Sequence, residues 1–298
     1  MKKFYILFNP FAGNGINQNC LKELVDSLEG EAVLTDMTSI EDYGDFLANI
    51  DKDDAIVVCG GDGTVNRFIN DSRDAKSEND IFYYALGTGN DFLKDIEGEA
   101  KKLVQINKYI ASLPTVVING KEYKFVNNVG FGIDGYCCQV GDELKAKGKK
   151  NISYTGIAIK GLLFKFKPAN AVVTVDGVKH EYKKVWLAPT MNGRFYGGGM
   201  MPTPKQDRLN QDGNLSVMIW HGSGKLATLM AFPSLFKGEH VNKTKYIEVL
   251  EGKSITVEFD KPCAVQFDGE TIVGVTKYEA KARTVCHISS DEPLVAQG

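Results

Sequence analysis

Apolar and polar positions change their spacing along this chain, and the change divides it near residue 115. Before that point, short apolar runs alternate with stretches of helical period. Phe4–Phe8 predicts a strand that ends in Asn9-Pro10-Phe11-Ala12-Gly13. Ile16, Leu21, Leu24, Val25 and Leu28 then recur roughly every 3.6 residues, the apolar face of a helix. Ala32–Leu34 predicts a second strand and Ile40–Ile50 a second helix. Ala55–Cys59 predicts a buried third strand, followed by a glycine loop and a helix from Val65 to Asn70. Ile81–Leu86 predicts a fourth strand, and Gly87-Thr88-Gly89-Asn90-Asp91 leads into another helix. Strands joined by helices of this length form a parallel sheet, because only a crossover returns the chain in the same direction.

After Pro114 the pattern turns to hairpins. Val116–Ile118 and Glu122–Val126 flank Asn119-Gly120, and Val172–Val175 and Val178–Tyr182 flank Asp176-Gly177. Such dipeptides accept the positive φ of a two-residue turn. Further strands are predicted at Val185–Ala188, Leu215–Trp220, Ser254–Phe259, Ala264–Phe267 and Val285–Ile288, with helices near 135–147 and 153–166. The expectation is an α/β domain over 1–115 and a mostly antiparallel β domain over 116–288, with residues 289–298 packing back on the first domain.

Composition narrows the function. The 298 residues are 43% hydrophobic and 24% charged, enough for two cores without covalent staples. A net charge of −3 argues against a general nucleic-acid binder, which needs surplus Lys and Arg to neutralise phosphates. Cysteines 20, 59, 137, 138, 263 and 286 form no C-x-x-C pair, so they are expected as reduced thiols rather than zinc ligands or disulfides. His180, His221, His240 and His287 also lack ligand spacing. The apolar start runs into a glycine loop and is too short for a signal core. No run approaches the ~20 apolar residues of a membrane span. The expected location is cytoplasmic, with any membrane contact peripheral and at the inner face.

Candidate chemistry sits in three loops, Asn9–Gly15, Gly60–Thr64 and Gly87–Asp91, each after a strand and before a helix. In an open parallel sheet such loops line the ligand edge, where glycine lets backbone N–H groups approach a phosphate. None is a Walker A loop, and the protein-kinase motifs are missing. Asp62 would repel phosphates unless a metal intervened, which points to Mg²⁺; as part of an Asp-Gly pair it also suits a plain turn.

These residues resemble a known family. Gly60-Gly61-Asp62-Gly63-Thr64-Val65-Asn66, with Asn9-Pro10-Phe11-Ala12-Gly13 before it and Gly87-Thr88-Gly89-Asn90-Asp91-Phe92 after it, is similar to the diacylglycerol kinase catalytic domain. The likeness continues through Asn128–Gly132, Asn192–Gly199, Asp212-Gly213 and Asp268-Gly269-Glu270. It implies an N-terminal nucleotide-binding domain, a C-terminal β-sandwich and ATP in the cleft between them. It implies nucleotide contacts from Asn9, Pro10, Phe11, Ala12 and Gly13, from Thr38 (with Thr35 the other match), from Gly60, Gly61, Asp62, Gly63, Thr64, Val65, Asn66 and Arg67, and from Thr88 and Asn90. It implies γ-phosphoryl transfer to a lipid hydroxyl, with Glu270 accepting the proton and Asp62 and Asp268 beside it. It also implies a structural Mg²⁺ on the Asp212 carboxylate and the carbonyls of Leu209 and Asn214. Arg67 departs from the family's Glu, so the capping box that Thr64 would open cannot close.

Some of this has plainer alternatives. Phe267-Asp268-Gly269-Glu270 also reads as one more Asp-Gly hairpin, and Asp212-Gly213 as a turn into the next strand. Between Lys145 and Lys167 lie seven lysines and no acidic residue, interleaved with Ile152, Tyr154, Ile157, Leu163 and Phe164. That suits either the headgroup boundary of an anionic bilayer or a core helix with solvated lysines. Residues 231–237 are a second candidate for membrane contact. A soluble acceptor, as in NAD kinases, and a binding protein without turnover are the competing functions. A homodimer is compatible with the sequence, which does not fix the oligomeric state.

Overall fold

The computed structural model describes residues 1–11, 18–73, 75, 77–86, 90–149 and 152–284. Ala12, Gly13, Thr88, the strand expected at 285–288 and the tail 289–298 lie outside them. The first unit is built from β1 (Lys3–Phe8), α1 (Gln18–Asp26), β2 (Glu31–Asp36), α2 (Tyr43–Ala48), β3 (Ala55–Gly60), α3 (Asp62–Ser72), β4 (Asp80–Ala85), α4 (Asp91–Asp95), β5 (Leu103–Gln105) and α5 (Asn107–Ile110). Its five-stranded sheet has the order β2-β1-β3-β4-β5. β1 to β4 run parallel, as the alternation predicts, whereas β5 is antiparallel to β4. The short segment before β5 offers no crossover helix long enough to bring the chain back parallel. β3 is buried at every position, so its run Ala-Ile-Val-Val-Cys-Gly is continuous rather than alternating.

The first helix after the glycine loop differs from expectation in a way that matters. α3 begins at Asp62, three residues before the predicted Val65, and Gly61 is its N-cap. The loop is therefore only the Gly60–Gly61 bend, and Asp62, Gly63 and Thr64 form the first helical turn. Gly60 is sterically required there: a Cβ on it would lie 2.2 Å from Thr64 Oγ1 and 2.7 Å from Thr64 Cβ.

The second unit comprises β6 (Thr115–Ile118), β7 (Lys121–Lys124), β8 (Asn128–Gly132), α6 (Ile133–Ala146), α7 (Tyr154–Lys160) continued by a π-helical turn (Gly161–Lys165), β9 (Ala169–Val175), β10 (Val178–Val185), β11 (Leu187–Met191), β12 (Leu215–Trp220), α8 (Lys225–Ala231) continued by a 3₁₀ helix (Phe232–Lys237), β13 (Ile247–Gly252), β14 (Ser254–Phe267) and β15 (Glu270–Lys281). These ten strands form one antiparallel sheet along β13-β12-β11-β8-β14-β15-β6-β7, with β9 and β10 branching from β14. β14 spans both layers. Its first half pairs with β9 and its second half with β8. The ladder between β14 and β15 breaks between Glu258 and Cys263, around Pro262, which has no N–H to donate. Leu215, Val217 and Ile219 of β12 share one core with Val173, Val175, Ile255 and Val257, strands far apart in sheet order. The sheet therefore folds over on itself and buries its two inner faces against each other.

Three of the turns are the predicted hairpins, with φ of 50°, 47° and 46° at Asn119, Asp176 and Asp268, each followed by a positive-φ glycine. Periodicity missed β13 and β15 and split β14 in two. Gly274, at φ 74°, interrupts the alternation of β15.

Candidate active site

The C-terminal ends of the parallel strands face the β domain. Asn9 follows β1, Thr38 follows β2, Gly60 and Gly61 close β3, and Asn90 follows β4. Asn9 Oδ1 accepts from Phe11 N at 2.9 Å, which shapes the turn that leaves Phe11 81% exposed. The Asp36 carboxylate accepts from both the backbone N and the hydroxyl of Thr38, at 2.8 and 2.7 Å. Thr64 and Asn66 are buried. Arg67, freed of any capping role, pairs through Nε with Asp71 one turn on, at 3.1 Å.

Carboxylates stitch the two units together at this edge. Asp62, in the first turn of α3, accepts from Asp91 N at 2.8 Å, and more weakly from Phe92 N at 3.3 Å and Asn127 Nδ2 at 3.4 Å. Asp91 opens α4 and accepts from Gly198 N and Gly199 N, both at 2.7 Å. Those glycines have φ of 83° and 103°, which aims consecutive N–H groups at one carboxylate. Asp95, on the same helix, holds Arg194 Nε at 2.9 Å and also Arg208 Nε. Asp268 reaches back the other way. It accepts from the backbone N of Val126, from Asn127 N at 2.8 Å and Asn128 N at 3.0 Å, and from Asn66 Nδ2 at 2.8 Å. The Asp268-Gly269 pair is thus a hairpin turn and an interdomain latch at once.

Negative charge accumulates here, offset at Asp91 by Lys94 on the same helix. Burial, and next the charge of Asp91, push the Asp62 carboxyl up to about 7. Burial also raises Asp91, Asp134 and Asp268, against backbone N–H bonds that pull each of them down.

These groups line one cavity of about 560 Å³. Its polar lining is Asp62, Asp91, Asn127, Asn128, Asp134, Tyr196, Gln266 and Asp268. Its apolar lining includes Ile133, Ala158, Leu187, Met200 and Phe232, all part of the cluster around Trp186 and Trp220. Two buried polar atoms on the wall, Asn128 Nδ2 and the Tyr196 hydroxyl, have no hydrogen-bond partner among the described residues. A buried donor left unmade costs about 1–3 kcal/mol, so the residues lining this cavity carry an unmet hydrogen-bonding demand. Glu270 is the first residue of β15 and is exposed. Its neighbours Asp268 and Gly269 line the cavity, so it stands at the rim.

The sequence-predicted residues therefore fall into three groups. Asp62 and Asp268 line one cavity, with Gly60, Gly61, Gly63, Thr64, Val65 and Asn66 next to Asp62 along the chain; Glu270 is exposed, two residues beyond Asp268, and is not itself a lining residue. Asn9, Pro10, Thr38 and Asn90 share the strand-end edge, while Ala12, Gly13 and Thr88 lie outside the described residues. The loop of Leu209, Asp212 and Asn214 is elsewhere on the surface of the β unit. The Asn214 carbonyl already accepts from Gln206 Nε2 at 3.0 Å and Asn210 Nδ2 at 2.9 Å, which uses both lone pairs. The Arg283 guanidinium donates to the carbonyls of Arg208, at 3.2 Å, and Asn210. As arranged, the Asn214 carbonyl has no lone pair free for a metal ion.

Asp91, Asn127, Asp134, Tyr196 and Gln266 escaped the sequence reading as site residues. Asn127 and Gln266 carry no motif. Asp91 and Tyr196 sat inside noted glycine-rich motifs, whose contacts depend on the other unit.

Two family models match the chain in order. The diacylglycerol kinase catalytic domain covers residues 3–120, and the YegS C-terminal NAD kinase beta sandwich-like domain covers 127–283. Among characterised sequences, a diacylglycerol kinase of Bacillus subtilis is 22% identical across 91% of this chain and 90% of its own. One of Staphylococcus saprophyticus is 25% identical across 90% and 89%. The crystal structure of a diacylglycerol kinase from Bacillus anthracis shares the fold, with a TM-score of 0.59 at 19% identity over 94% of each chain. The crevice between the glycine-capped α3 and the Asp268 hairpin is thus the seam between the two matched halves, and the chain belongs to the family that carries the YegS C-terminal NAD kinase beta sandwich-like domain, here joined to a diacylglycerol kinase catalytic domain.

Proposed function

We propose that this chain is an ATP-dependent lipid kinase that transfers the γ-phosphoryl group to the hydroxyl of diacylglycerol or a related lipid alcohol. The observation that carries this reading is the two-sided lining of the interdomain cavity. Carboxylates gather beside the glycine-capped helix, and Ile133, Ala158, Leu187, Met200 and Phe232 give the wall an apolar stretch. An amphiphile satisfies both sides, whereas a fully polar acceptor would leave the apolar wall against water.

In this reading the triphosphate lies along the strand-end edge, with the Asn9–Gly13 loop, Thr38, Gly60–Arg67, Thr88 and Asn90 around it. The N-terminus of α3 presents free N–H groups to the anion. Asp62 fits the Mg²⁺ that accompanies ATP, since its carboxyl is buried and is raised further by the charge of Asp91. When bound, that ion neutralises charge on the phosphates. The acceptor oxygen forms a bond to the γ-phosphorus as the bond to the β-phosphate oxygen breaks, and ADP leaves. Glu270 takes the hydroxyl proton; its carboxylate has no hydrogen-bond or ion-pair partner among the described residues. Asp268 is a positioning residue, because its oxygens are committed to four donors.

The test is purified protein with ATP, Mg²⁺ and lipid alcohols in mixed micelles. A phosphorylated lipid is expected, with Glu270→Gln lowering the rate about 100-fold or more while melting unchanged. Absence of phospholipid from every alcohol tried sinks the proposal. So does a Glu270→Gln variant as fast as the parent.

A further inference from the structure

We propose that the tip formed by α7, the π turn, α8 and the 3₁₀ helix is a docking surface for an anionic lipid bilayer. The proposal rests on the lipid-kinase reading for its purpose but not for its observations. Most large apolar side chains in this protein are buried; here they are not. Phe164 is 74% exposed, Leu226 66% and Met230 75%, with Ile159, Tyr154 and Phe236 each about 40% exposed. Phe164 lies in the π turn, and Leu226 and Met230 lie one turn apart on one side of α8. The two elements touch: Lys225 Nζ donates to Leu163 O at 3.3 Å, and Leu162 shares a core with Leu229 and Phe232. The exposed residues are therefore one patch rather than scattered positions, and a monomer surface rarely leaves such a patch without a partner.

Charge names the partner. Segments 144–167 and 222–238 contain no Asp or Glu, and exposed Lys160, Lys165, Lys225 and Lys237 are interleaved along them with the exposed apolar side chains. Exposed lysines interleaved with protruding apolar residues fit a surface that is anionic outside and hydrocarbon within. Among the described residues no helix is long and apolar enough to cross a membrane, so contact is from one side. Geometry adds the purpose. Tyr154 and Phe236, on this patch, also line the cavity. A cavity of about 560 Å³ is too small for a lipid with two long chains, so the remainder of the acceptor has to stay in the bilayer while its hydroxyl enters. Docking at this tip places the cavity mouth on the lipid.

The experiment is co-sedimentation of the full chain, without ATP, with phosphatidylglycerol–phosphatidylcholine vesicles and with pure phosphatidylcholine vesicles. Binding is expected on the anionic vesicles and is expected to weaken as salt rises. The triple variant Phe164→Ser, Leu226→Ser, Met230→Ser should lower the partition coefficient about tenfold or more, since each side chain buries apolar area only in the bilayer. Lys160→Glu with Lys165→Glu should abolish the preference for anionic vesicles. All five positions are exposed, and an unchanged melting temperature checks the fold of each variant. Equal binding by the triple variant overturns the proposal, as does equal binding to both vesicle types. A dimer in light scattering that the triple variant splits also overturns it, because the face would then belong to a second copy. Turnover is not read in this assay, so its failure leaves phosphoryl transfer standing. A chain that docks but phosphorylates nothing fails only the kinase reading.

Discussion

Replacing Asp62 with Asn should stabilise the protein at alkaline pH while removing turnover. The Asp62 carboxyl is held at about 7, against 3.8 for the ordinary group, by burial and then by Asp91. A folded state that binds the proton more tightly than the unfolded chain is favoured in acid. That contribution is complete below pH 4 and is lost as pH rises from there through 7. At about 1.4 kcal/mol per pH unit the ceiling is about 4 kcal/mol. Water reaches the half-buried side chain and screens the charge, so about 1–2 kcal/mol is the expected size. The substituted amide would keep the oxygen that accepts from Asp91 N, the 2.8 Å bond. The Asn127 Nδ2 contact falls on that same oxygen, and the one contact disturbed, from Phe92 N to the other oxygen, is already long at 3.3 Å.

The assay is thermal melting from pH 5 to 8.5. At about 2–4 °C per kcal/mol for a chain of this size, the variant should melt several degrees above the parent at pH 8, with the gap narrowing steadily towards pH 5. Mg²⁺ with ATP should raise the melting point of the parent more at pH 8 than at pH 5, since the ion meets a charged carboxylate only at the higher pH. A variant that melts lower at pH 8, or that keeps the parent's slope, would refute the idea that Asp62 is an uncompensated buried charge.

Three other substitutions follow from the same geometry. Gly60→Ala forces a Cβ to within 2.2 Å of Thr64 Oγ1, so it should cost about 1–3 kcal/mol in denaturant melts and weaken ATP binding measured by calorimetry; full ATP affinity would place the nucleotide elsewhere. Asp268→Ala strips an acceptor from three backbone N–H groups and the Asn66 amide and should cost about 3–5 kcal/mol. If Asp268→Ala loses activity with unchanged stability, the residue is chemical rather than structural. Arg283→Gln should lower the melting temperature through the carbonyls of Arg208 and Asn210, whereas chelating metal in the absence of nucleotide should not; a chelator-induced drop would restore an ion to the 209–214 loop.

Local pattern carried the fold further than the site. The parallel strands, the Asn119-Gly120, Asp176-Gly177 and Asp268-Gly269 turns and the helices near 135–147 and 153–166 were legible, because each rests on periodicity or turn chemistry within a dozen residues. The start of α3 was not: Gly-Gly-Asp-Gly reads as loop by propensity, and the helix is extended backward by Thr64 N and Val65 N bonding to Gly61 O. β15 was missed because its alternation is broken at Gly274. In the site, Asp62 was legible from an electrostatic argument about one residue. The roles of Asp91 and Asn127 were not, since each depends on a partner 65 to 107 positions away along the chain. The exposed Leu226 and Met230 were equally hidden, as an apolar helix face reads the same whether it meets a core or nothing.

The hydrogen bonds that tie the two units together at the crevice are made by the carboxylates that surround the proposed reaction site. Asp62 and Asp91 extend from the α/β unit to Asn127, Gly198 and Gly199, and Asp268 extends from the β unit to Asn66. A cation or phosphate that enters the crevice must compete with these bonds or reinforce them; it cannot leave them untouched. Affinity for nucleotide and the set of the two units relative to each other are then one equilibrium, read at one place. Asp95 with Arg194 and Arg208 lies on the same helix as Asp91 but is charge-balanced, so it holds the seam regardless of what the crevice contains. The seam thus joins arginine-paired Asp95 to the buried carboxylates Asp62, Asp91 and Asp268.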